Sequence, residues 1–279
     1  FQPAEELGGA GGAKRMIDDG LFDRFPCDAI FAMHNMPGVP TGQFLFRDGP
    51  FMASSDRVVI RFQGKGGHGA MPHLSSDPTV AASATVLALQ SIVARNVDPL
   101  AAAVISVGRL QAGNSYNIIP DTAELELSVR TLVPDIRRLL EQRIREVAHG
   151  QAQSFGMTCV IEYEHGYPVL VNAVAQTRFA YQVARSNFDA AQSVIDASPI
   201  CASEDFAYML QQCPGCYLLI GNGDNGFVDG ESCGPCSVHN PRFDFNDQNL
   251  ARGAAFWLAL TLEYFSNPSN PSLASTEKK

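Results

Sequence analysis

The sequence between residues 57 and 164 alternates apolar and polar positions with two clear periods. Residues 122–130, TAELELSVR, alternate strictly, and this period of two predicts a strand with one buried face. The apolar face of that strand consists of Ala123, Leu125, Leu127 and Val129. The stretch PDIRRLLEQRIREVA instead repeats its apolar residues every three to four positions, which predicts an amphipathic helix.

Four further segments complete this inner region. DRVVIRFQGKG, AAAVISVGRL and TCVIEYEHG are predicted strands, and a helix through TVAASATVLALQSIVAR is expected to begin at Asp77-Pro78. The resulting order β-α-β-β-α-β is that of a split βαβ, ferredoxin-like sandwich. Such a sheet has two open edges, so it can extend by pairing with a second copy.

The flanking regions alternate short apolar strands with helices, which is typical of a parallel α/β sheet. We therefore predict an α/β protein with a split outer α/β domain, residues 1–54 and 168–265, and an inserted ferredoxin-like domain, residues 55–167. The polar tail at 266–279 is rich in Ser and Pro and is predicted to be disordered.

Composition narrows the class of protein. The 279 residues are 46% hydrophobic and 18% charged, which is typical of a globular protein, and no run of residues is apolar enough for a membrane span. The net charge of -9 argues against nucleic acid or an anionic membrane as the main partner.

Seven cysteines in a chain of this size favour a reduced, cytoplasmic setting over a disulfide framework. Two C-x-x-C units, Cys213/Cys216 and Cys233/Cys236, have a spacing that also allows a zinc ribbon. Against this, Cys216 opens the apolar run CYLLIG, and buried free thiols are the default interpretation.

Several polar residues have the chemistry of a catalytic site. Adjacent carboxylates at Glu5 and Glu6 point to opposite sides of an extended segment, so one could bind a metal ion while the other faces a water molecule. The alternative is two acids in a first helical turn, stabilised by the helix dipole. His34 follows an apolar strand, and His239 lies in a polar loop before the last helix. Taken alone, each histidine is better explained as a structural residue, for His34 a buried histidine with its hydrogen bonds satisfied.

The inserted domain contributes three more candidates. His68 lies in the glycine-rich loop GKGGHGAMPH, where an imidazole could stabilise an oxyanion, and Asn117 precedes a turn that contains Pro120. Arg130 ends the polar face of the alternating strand and could hold a substrate carboxylate in a bidentate manner. The alternative partner for Arg130 is Glu126 on the same face.

Six motifs occur in an order that resembles one family: FQPAEE, HNMPG, GKGGHGAMPH, NIIPDTAELELSVRT, SEDFAYML and HNPRFDFND. The family is that of the aminoacylase/carboxypeptidase metallopeptidases, in the branch of hippurate hydrolases and auxin-conjugate hydrolases. The resemblance covers nearly the whole chain except the tail. It implies a two-metal α/β catalytic domain with an inserted lid domain that dimerises.

The resemblance also implies roles for the candidate residues. Glu5 resembles the general base, and Glu6, His34 and His239 resemble metal ligands. His68 resembles the lid histidine that reaches the substrate carbonyl, often from the partner subunit, and Asn117 and Arg130 match the pair that grips the substrate. The implied reaction is hydrolysis of N-acyl amino acids, or of related amides and esters, by water activated at one or two divalent ions such as Zn, Mn, Co or Ni.

The family motif Cys-Gly-His-Asp-Gly-His, which completes the two-metal site, does not occur in this sequence. We therefore expect the first strands of the catalytic sheet to be missing, and Glu6, His34 and His239 to hold a single ion with water. The expected partners are a small N-acyl amino acid or ester and a second copy of the chain, bound through the inserted domain. The alternative interpretation is a catalytically impaired, truncated remnant that acts as a dimeric scaffold.

Overall fold

The structure is a computed structural model, and it describes residues 2–6, 12–223, 227–228, 231–232 and 236–266. The helices are α1 Gly12–Asp18, α2 Leu21–Arg24, α3 Pro78–Asn96, α4 Pro134–Ser154, α5 Val174–Asn187, α6 Phe206–Leu210 and α7 Gln248–Ser266. The strands are β1 Ile30–Pro37, β2 Phe44–Leu45, β3 Gly49–Met52, β4 Ser54–Gln63, β5 Gly67–His68, β6 Ala103–Ala112, β7 Ile118–Ile119, β8 Thr122–Thr131, β9 Thr158–His165, β10 Leu170–Asn172, β11 Ser193–Val194, β12 Gly215–Gly223, β13 Phe227–Val228 and β14 Glu231–Ser232.

The chain divides into two compact units by its internal contacts. The first unit comprises residues 1–12, 52–170 and 200–207, and the second comprises 13–51, 171–199 and 208–279. The first unit therefore contains the predicted inserted domain together with residues 1–12, 52–54, 168–170 and 200–207, which the sequence assigns to the outer domain.

The first unit has the predicted ferredoxin-like topology. Its sheet has the strand order β6-β8-β4-β9, with every neighbouring pair antiparallel, and the chain runs through it as β4-α3-β6-β8-α4-β9. The side chain of Asp77 accepts a hydrogen bond from the Thr79 amide at 2.8 Å and caps α3 as expected.

Helices α3 and α4 cover one face of this sheet. The four apolar residues predicted on one face of β8 are all buried, none more than 3% exposed, and they pack with Leu89 of α3 and with Leu140 and Ile144 of α4. Each fully buried aliphatic side chain contributes about 1.5–3 kcal/mol to stability. The period-of-two pattern in TAELELSVR thus defines the face of the sheet that the core occupies.

The opposite face of the same sheet carries arginines and glutamates in cross-strand pairs. Arg61 pairs with Glu124 and Glu162, and Arg109 pairs with Glu124 and Glu126. Because these side chains are partly solvated, such pairs add little to stability.

The second unit is built on a sheet with the order β1-β12-β2-β11. β1 is parallel to β12, and β11 is parallel to β2, but β12 and β2 are antiparallel. The expectation of a parallel sheet is therefore wrong for this pair. β2 follows β1 after the short connection from Pro37 to Phe44, which is too short for the crossover of a dozen or more residues that a parallel strand needs. β2 therefore runs opposite to β1, and so also opposite to β12, which is parallel to β1.

β12 lies in the interior of this sheet and is buried on both faces from Gly215 to Gly221. Phe44, Leu218 and Phe256 are central to its core, and the helices α5 and α7 contribute Ala180, Val183 and Leu260 to the same cluster. Cys216 is fully buried in this strand, in agreement with the strand predicted at CYLLIG.

Two predictions concern residues outside the described ranges. Cys233, a member of the hypothetical zinc ribbon, and the tail from residue 267 onwards both lie there, so the ribbon and the disordered tail remain predictions. Among the described helices, none combines the length and the apolar character that crossing a membrane requires.

Candidate active site

The segment that carries Glu5 and Glu6 is held in the first unit by two side chains. The hydroxyl of Tyr167, which is 5% exposed, donates a hydrogen bond to the main-chain carbonyl of Glu5. The side-chain amide of Gln2 donates to the carboxylate of Asp205. Ala4, directly before Glu5, has φ = +57°, a left-handed conformation that non-glycine residues rarely adopt. The path of this segment is therefore fixed by specific contacts at a small conformational cost.

Glu5 lies in a cluster of carboxylates. Carboxylate oxygens of Glu5, Glu204 and Asp205 all lie within 4.8 Å of one another. Burial, followed by the charges of Glu204, Glu6 and Asp205, raises the pKa of Glu5 to about 7. A carboxylate in this environment can take up and release a proton near neutral pH.

Tyr167 is itself positioned by a buried ion pair. Asp56, whose side chain is fully buried, accepts hydrogen bonds from Arg137 and from the amide of Gly166. Arg137 also donates to the Gly166 carbonyl at 3.1 Å, and the amide of Ser55 donates to the Tyr167 carbonyl at 3.0 Å. These contacts fix the chain on both sides of Tyr167 and, through it, the carbonyl of Glu5.

Arg130 is attached to the segment that supplies the other two acids. Its Nη1 donates to the Cys201 carbonyl at 2.8 Å, three residues before Glu204. Glu126, the alternative partner considered from the sequence, is paired with Arg57 and Arg109. Arg130 also lines an open cavity of about 650 Å³ on the charged side of the sheet.

His68 and Asn117 are neighbours in the ladder between β5 and β7. His68 pairs with Ile118, and the amide of Gly69 donates to the Asn117 carbonyl at 2.8 Å. The Nδ1 of His68 accepts a hydrogen bond from the Ala70 amide at 3.0 Å. In the neutral ring the proton is consequently on Nε2, which leaves an exposed donor for a developing oxyanion.

His34 and His239 belong to the second unit. His34 is exposed on β1, and its Nδ1 lies 2.6 Å from the Asn35 carbonyl, so Nδ1 donates and Nε2 is available as a ligand atom. His239 has φ = +67° in an exposed turn, a second uncommon backbone conformation at a predicted site residue.

Sequence reasoning missed three residues at this site. Glu204 and Asp205 lie inside the motif SEDFAYML, but adjacent acids before a short helix are also typical of helix capping, so the sequence assigns them no catalytic role. Glu204 does act as a cap: its Oε1 accepts a hydrogen bond from the Phe206 amide at 3.2 Å. Tyr167 had no signal at all, since its contact with Glu5 spans 162 residues.

A profile of the family described as peptidase family M20/M25/M40 matches residues 1–263. A hippurate hydrolase of Campylobacter jejuni is 40% identical to this chain over 264 residues, which cover 95% of the chain and 66% of that protein. An N-acetyl-L-cysteine deacetylase of Bacillus subtilis is 36% identical and is matched over 92% and 58% of the two chains. An N-acetyldiaminopimelate deacetylase of Geobacillus thermodenitrificans is 37% identical, over 97% and 67%.

Solved structures of similar proteins also match most of this chain. The YXEP protein of Bacillus subtilis, described as a dinuclear metal binding peptidase from the M20 family, matches 94% of this chain and 64% of its own, with a TM-score of 0.72 and 30% identity. An aminobenzoyl-glutamate utilization protein from Klebsiella pneumoniae matches 79% of this chain and 56% of its own, with a TM-score of 0.62 and 25% identity. The chain thus spans about two thirds or less of the length of the relatives it matches.

Proposed function

Because the chain belongs to the peptidase family M20/M25/M40, we propose that it is a metal-dependent hydrolase that cleaves the amide bond of N-acyl amino acids. Relatives of this chain are named as a hippurate hydrolase and as deacetylases of N-acetyl amino acids. The observation that carries the proposal is the carboxylate cluster, in which Glu5 is held beside Glu204, Asp205 and the adjacent Glu6.

The residues present fit a divalent cation. Three carboxylates whose oxygens lie within 4.8 Å of one another repel each other, and a cation beside them would relieve that repulsion. The proposed ligands remain those that the resemblance implies, Glu6 in the first unit and His34 and His239 in the second. One carboxylate and two imidazoles are the donor types of known catalytic zinc sites. When bound, the ion would supply polarisation of the amide carbonyl and a lowered pKa for an attacking water molecule.

Glu5 is the proposed general base. It accepts a proton from the attacking water molecule and passes it to the amine nitrogen as the carbon–nitrogen bond breaks, so that water and amide give a carboxylic acid and an amine. Its environment of buried and neighbouring carboxylates keeps its proton affinity close to what this double role requires at neutral pH.

The remaining predicted residues bind and orient the substrate. His68, through Nε2, donates to the carbonyl oxygen as it becomes negative. Arg130 uses one nitrogen for the Cys201 carbonyl and presents its other donors to the substrate carboxylate. The side-chain oxygen of Asn117 accepts a hydrogen bond from the Ser115 hydroxyl at 2.7 Å. The side-chain nitrogen of Asn117 is then the atom that can donate to the substrate. We further propose that the protein acts as a homodimer assembled through the inserted domain of residues 55–167.

The test is hydrolysis of hippurate, several N-acetyl amino acids and a p-nitrophenyl ester by the purified 279-residue chain, with the metal content measured on the same sample. We expect amide hydrolysis that a chelator abolishes and a divalent ion restores. Glu5→Gln should lose at least 100-fold in kcat, in keeping with the contribution of a general base. Glu162→Gln, on the exposed face of the sheet, is the matched control and should retain full activity.

Two results would overturn the proposal. Hydrolysis that survives both the chelator and Glu5→Gln would mean that neither the ion nor this carboxylate takes part. Metal-free protein that does not hydrolyse any of the substrates after addition of Zn, Mn, Co or Ni would support a non-catalytic role.

A further inference from the structure

Two cysteines of the second unit are in contact although they lie 186 residues apart. The Sγ atoms of Cys27 and Cys213 are 3.7 Å from each other, and both thiols are reduced. Cys27 is exposed to solvent, whereas Cys213 is only 5% exposed. One member of the pair can therefore meet a reagent in solution, and the other lies directly behind it.

The register of the central sheet produces this contact. β1 and β12 are parallel neighbours that begin with the pair Ile30 and Gly215, and the Ile30 amide donates to the Pro214 carbonyl at 3.1 Å. Cys27 precedes the first strand by three residues, and Cys213 precedes the second by two. The Cys213 Sγ also lies 3.4 Å from the Cys27 carbonyl. The two thiols are thus held at the same end of the sheet by main-chain hydrogen bonds.

The spacing of the strands is suitable for a disulfide. The two cysteines precede the neighbouring strands β1 and β12, which lie about 4.8 Å apart. Disulfides typically join residues whose Cα atoms are about 4.4–6.8 Å apart. The sulfur atoms need to approach by less than 2 Å to reach bonding distance, about 2.05 Å. Rotation of the exposed Cys27 side chain is enough for an approach of this size.

We propose that Cys27 and Cys213 are an oxidation site at which a low-molecular-weight disulfide, such as oxidised glutathione, converts the two thiols into an intramolecular disulfide. This inference is independent of the proposed hydrolase activity, since it concerns thiols that have no role in the catalytic proposal.

The reaction balances in two exchange steps. The Cys27 thiolate attacks one sulfur of oxidised glutathione, which breaks the glutathione disulfide and releases one glutathione as a thiolate. The Cys213 thiolate then attacks Cys27 Sγ in the mixed disulfide and releases the second glutathione. The protein loses two electrons and two protons, and the oxidant takes them up as two glutathione thiols.

The environment of Cys213 assigns the order of these steps. Burial, and next the hydrogen bond and charge of Cys27, raise the pKa of Cys213 to about 12, so this thiol does not react first. Once Cys27 is part of a mixed disulfide, its hydrogen bond and charge no longer raise the pKa of Cys213. Burial, the largest cause, remains, so the pKa of Cys213 falls only in part at the point where its attack is required.

Other cysteines of the chain provide internal controls. Cys201 is exposed like Cys27, but in the part of the chain that the structure describes no second sulfur is in contact with it. Cys159 and Cys216 are buried and so are protected from reagents in solution. If exposure alone decided the product, Cys27 and Cys201 would both carry glutathione. The proposed pair instead gives a disulfide at Cys27 and a glutathione adduct at Cys201.

The experiment is incubation of the folded protein with oxidised glutathione, followed by alkylation of the remaining thiols and peptide mapping by mass spectrometry without reduction. We expect a peptide pair joined through Cys27 and Cys213, and a stable glutathione adduct at Cys201. The thermal unfolding midpoint of the oxidised protein should rise and should return to its original value with dithiothreitol. In a denaturant the joined peptide pair should no longer form preferentially.

Three variants make the result specific. Cys213→Ser removes the resolving thiol and should trap glutathione on Cys27 in most molecules. Cys27→Ser changes an exposed residue and should abolish the joined pair while leaving Cys213 unmodified. Cys201→Ser should have no effect on the pair.

The proposal would be overturned by a Cys27–glutathione adduct that persists in the wild-type protein, because the second step would then not occur. An intermolecular Cys27–Cys27 bond as the main product would equally overturn it. The same holds if Cys27 and Cys213 are joined no more often than other cysteine pairs.

Discussion

Replacing Arg137 by methionine tests how far the first unit depends on its buried ion pair. The Arg137 side chain is 17% exposed and its partner carboxylate on Asp56 is fully buried. Methionine keeps the aliphatic stem but removes the donors to Asp56 and to the Gly166 carbonyl. The carboxylate would keep its contacts with the Tyr163 hydroxyl and the Gly166 amide, both at 3.2 Å, and the His165 ring nitrogen would stay 3.8 Å away.

The expected loss in the free energy of unfolding is about 3–5 kcal/mol, because a buried carboxylate without its cationic partner keeps its desolvation penalty. Replacement of both residues, Asp56→Leu with Arg137→Met, removes the charge as well as its partner. The double variant should therefore be more stable than the single Arg137→Met variant. Arg138→Met is the matched control, since its pair with Asp135 is three-quarters exposed or more on both sides, and it should cost no more than about 1 kcal/mol.

The measurement is urea unfolding followed by far-UV circular dichroism for the wild type and these three variants at one pH. If Arg137→Met cost no more than Arg138→Met, the ion pair would not be holding Asp56 in the folded state. If the double variant were less stable than the single one, the penalty would come from lost packing and not from an unpaired charge.

Three further predictions use the same unfolding assay. Tyr167→Phe removes the hydroxyl that donates to the main chain of the proposed base; it should cost about 1 kcal/mol and should lower kcat more than it changes KM. Gly42 and Gly49 both have φ = +74°, a backbone conformation that is unfavourable for alanine. Gly42→Ala also places a Cβ 2.6 Å from the Arg252 side chain and should lower the free energy of unfolding by at least about 2 kcal/mol. Gly49→Ala, with nothing within 4 Å of its Cβ, should lower it by only about 1 kcal/mol. Burial raises the pKa of the Cys216 thiol from 9.0 to about 12, so the thiol ionises at lower pH in the unfolded state than in the folded state. The free energy of unfolding should therefore fall as the pH rises from 9 towards 12. An equal fall in the Cys216→Ala variant would contradict this.

The parts of the fold that could be predicted are those whose signal lies within a few neighbouring residues of the chain. β8 shows its buried face in nine consecutive residues, and Asp77 caps α3 through a contact two residues away. The direction of β2 could not be predicted from alternation, because two apolar residues fit either a parallel or an antiparallel neighbour. Only the length of the connection decides it.

The candidate site was only partly predictable for a similar reason. Resemblance to a family assigned roles to Glu5 and His68, and the structure adds which atoms of these residues are engaged and which are available. The contacts of Glu5 with Tyr167, Glu204 and Asp205 join distant segments, and periodicity in the chain carries no information about such pairs. The contact between Cys27 and Cys213 arises in the same way, from the register of two strands.

The attachment of the segment at Gln2–Glu6 has a consequence for how the protein is made. The groups that hold this segment come 162 and 203 residues later in the chain. A ribosome that adds about 5–20 residues per second needs roughly 10–40 s to synthesise them after the segment has been made. During that time the two neighbouring carboxylates have none of these contacts and no defined geometry. The carboxylate cluster therefore forms only after residue 205 has been synthesised, and it joins the two ends of one compact unit, residues 1–12, 52–170 and 200–207.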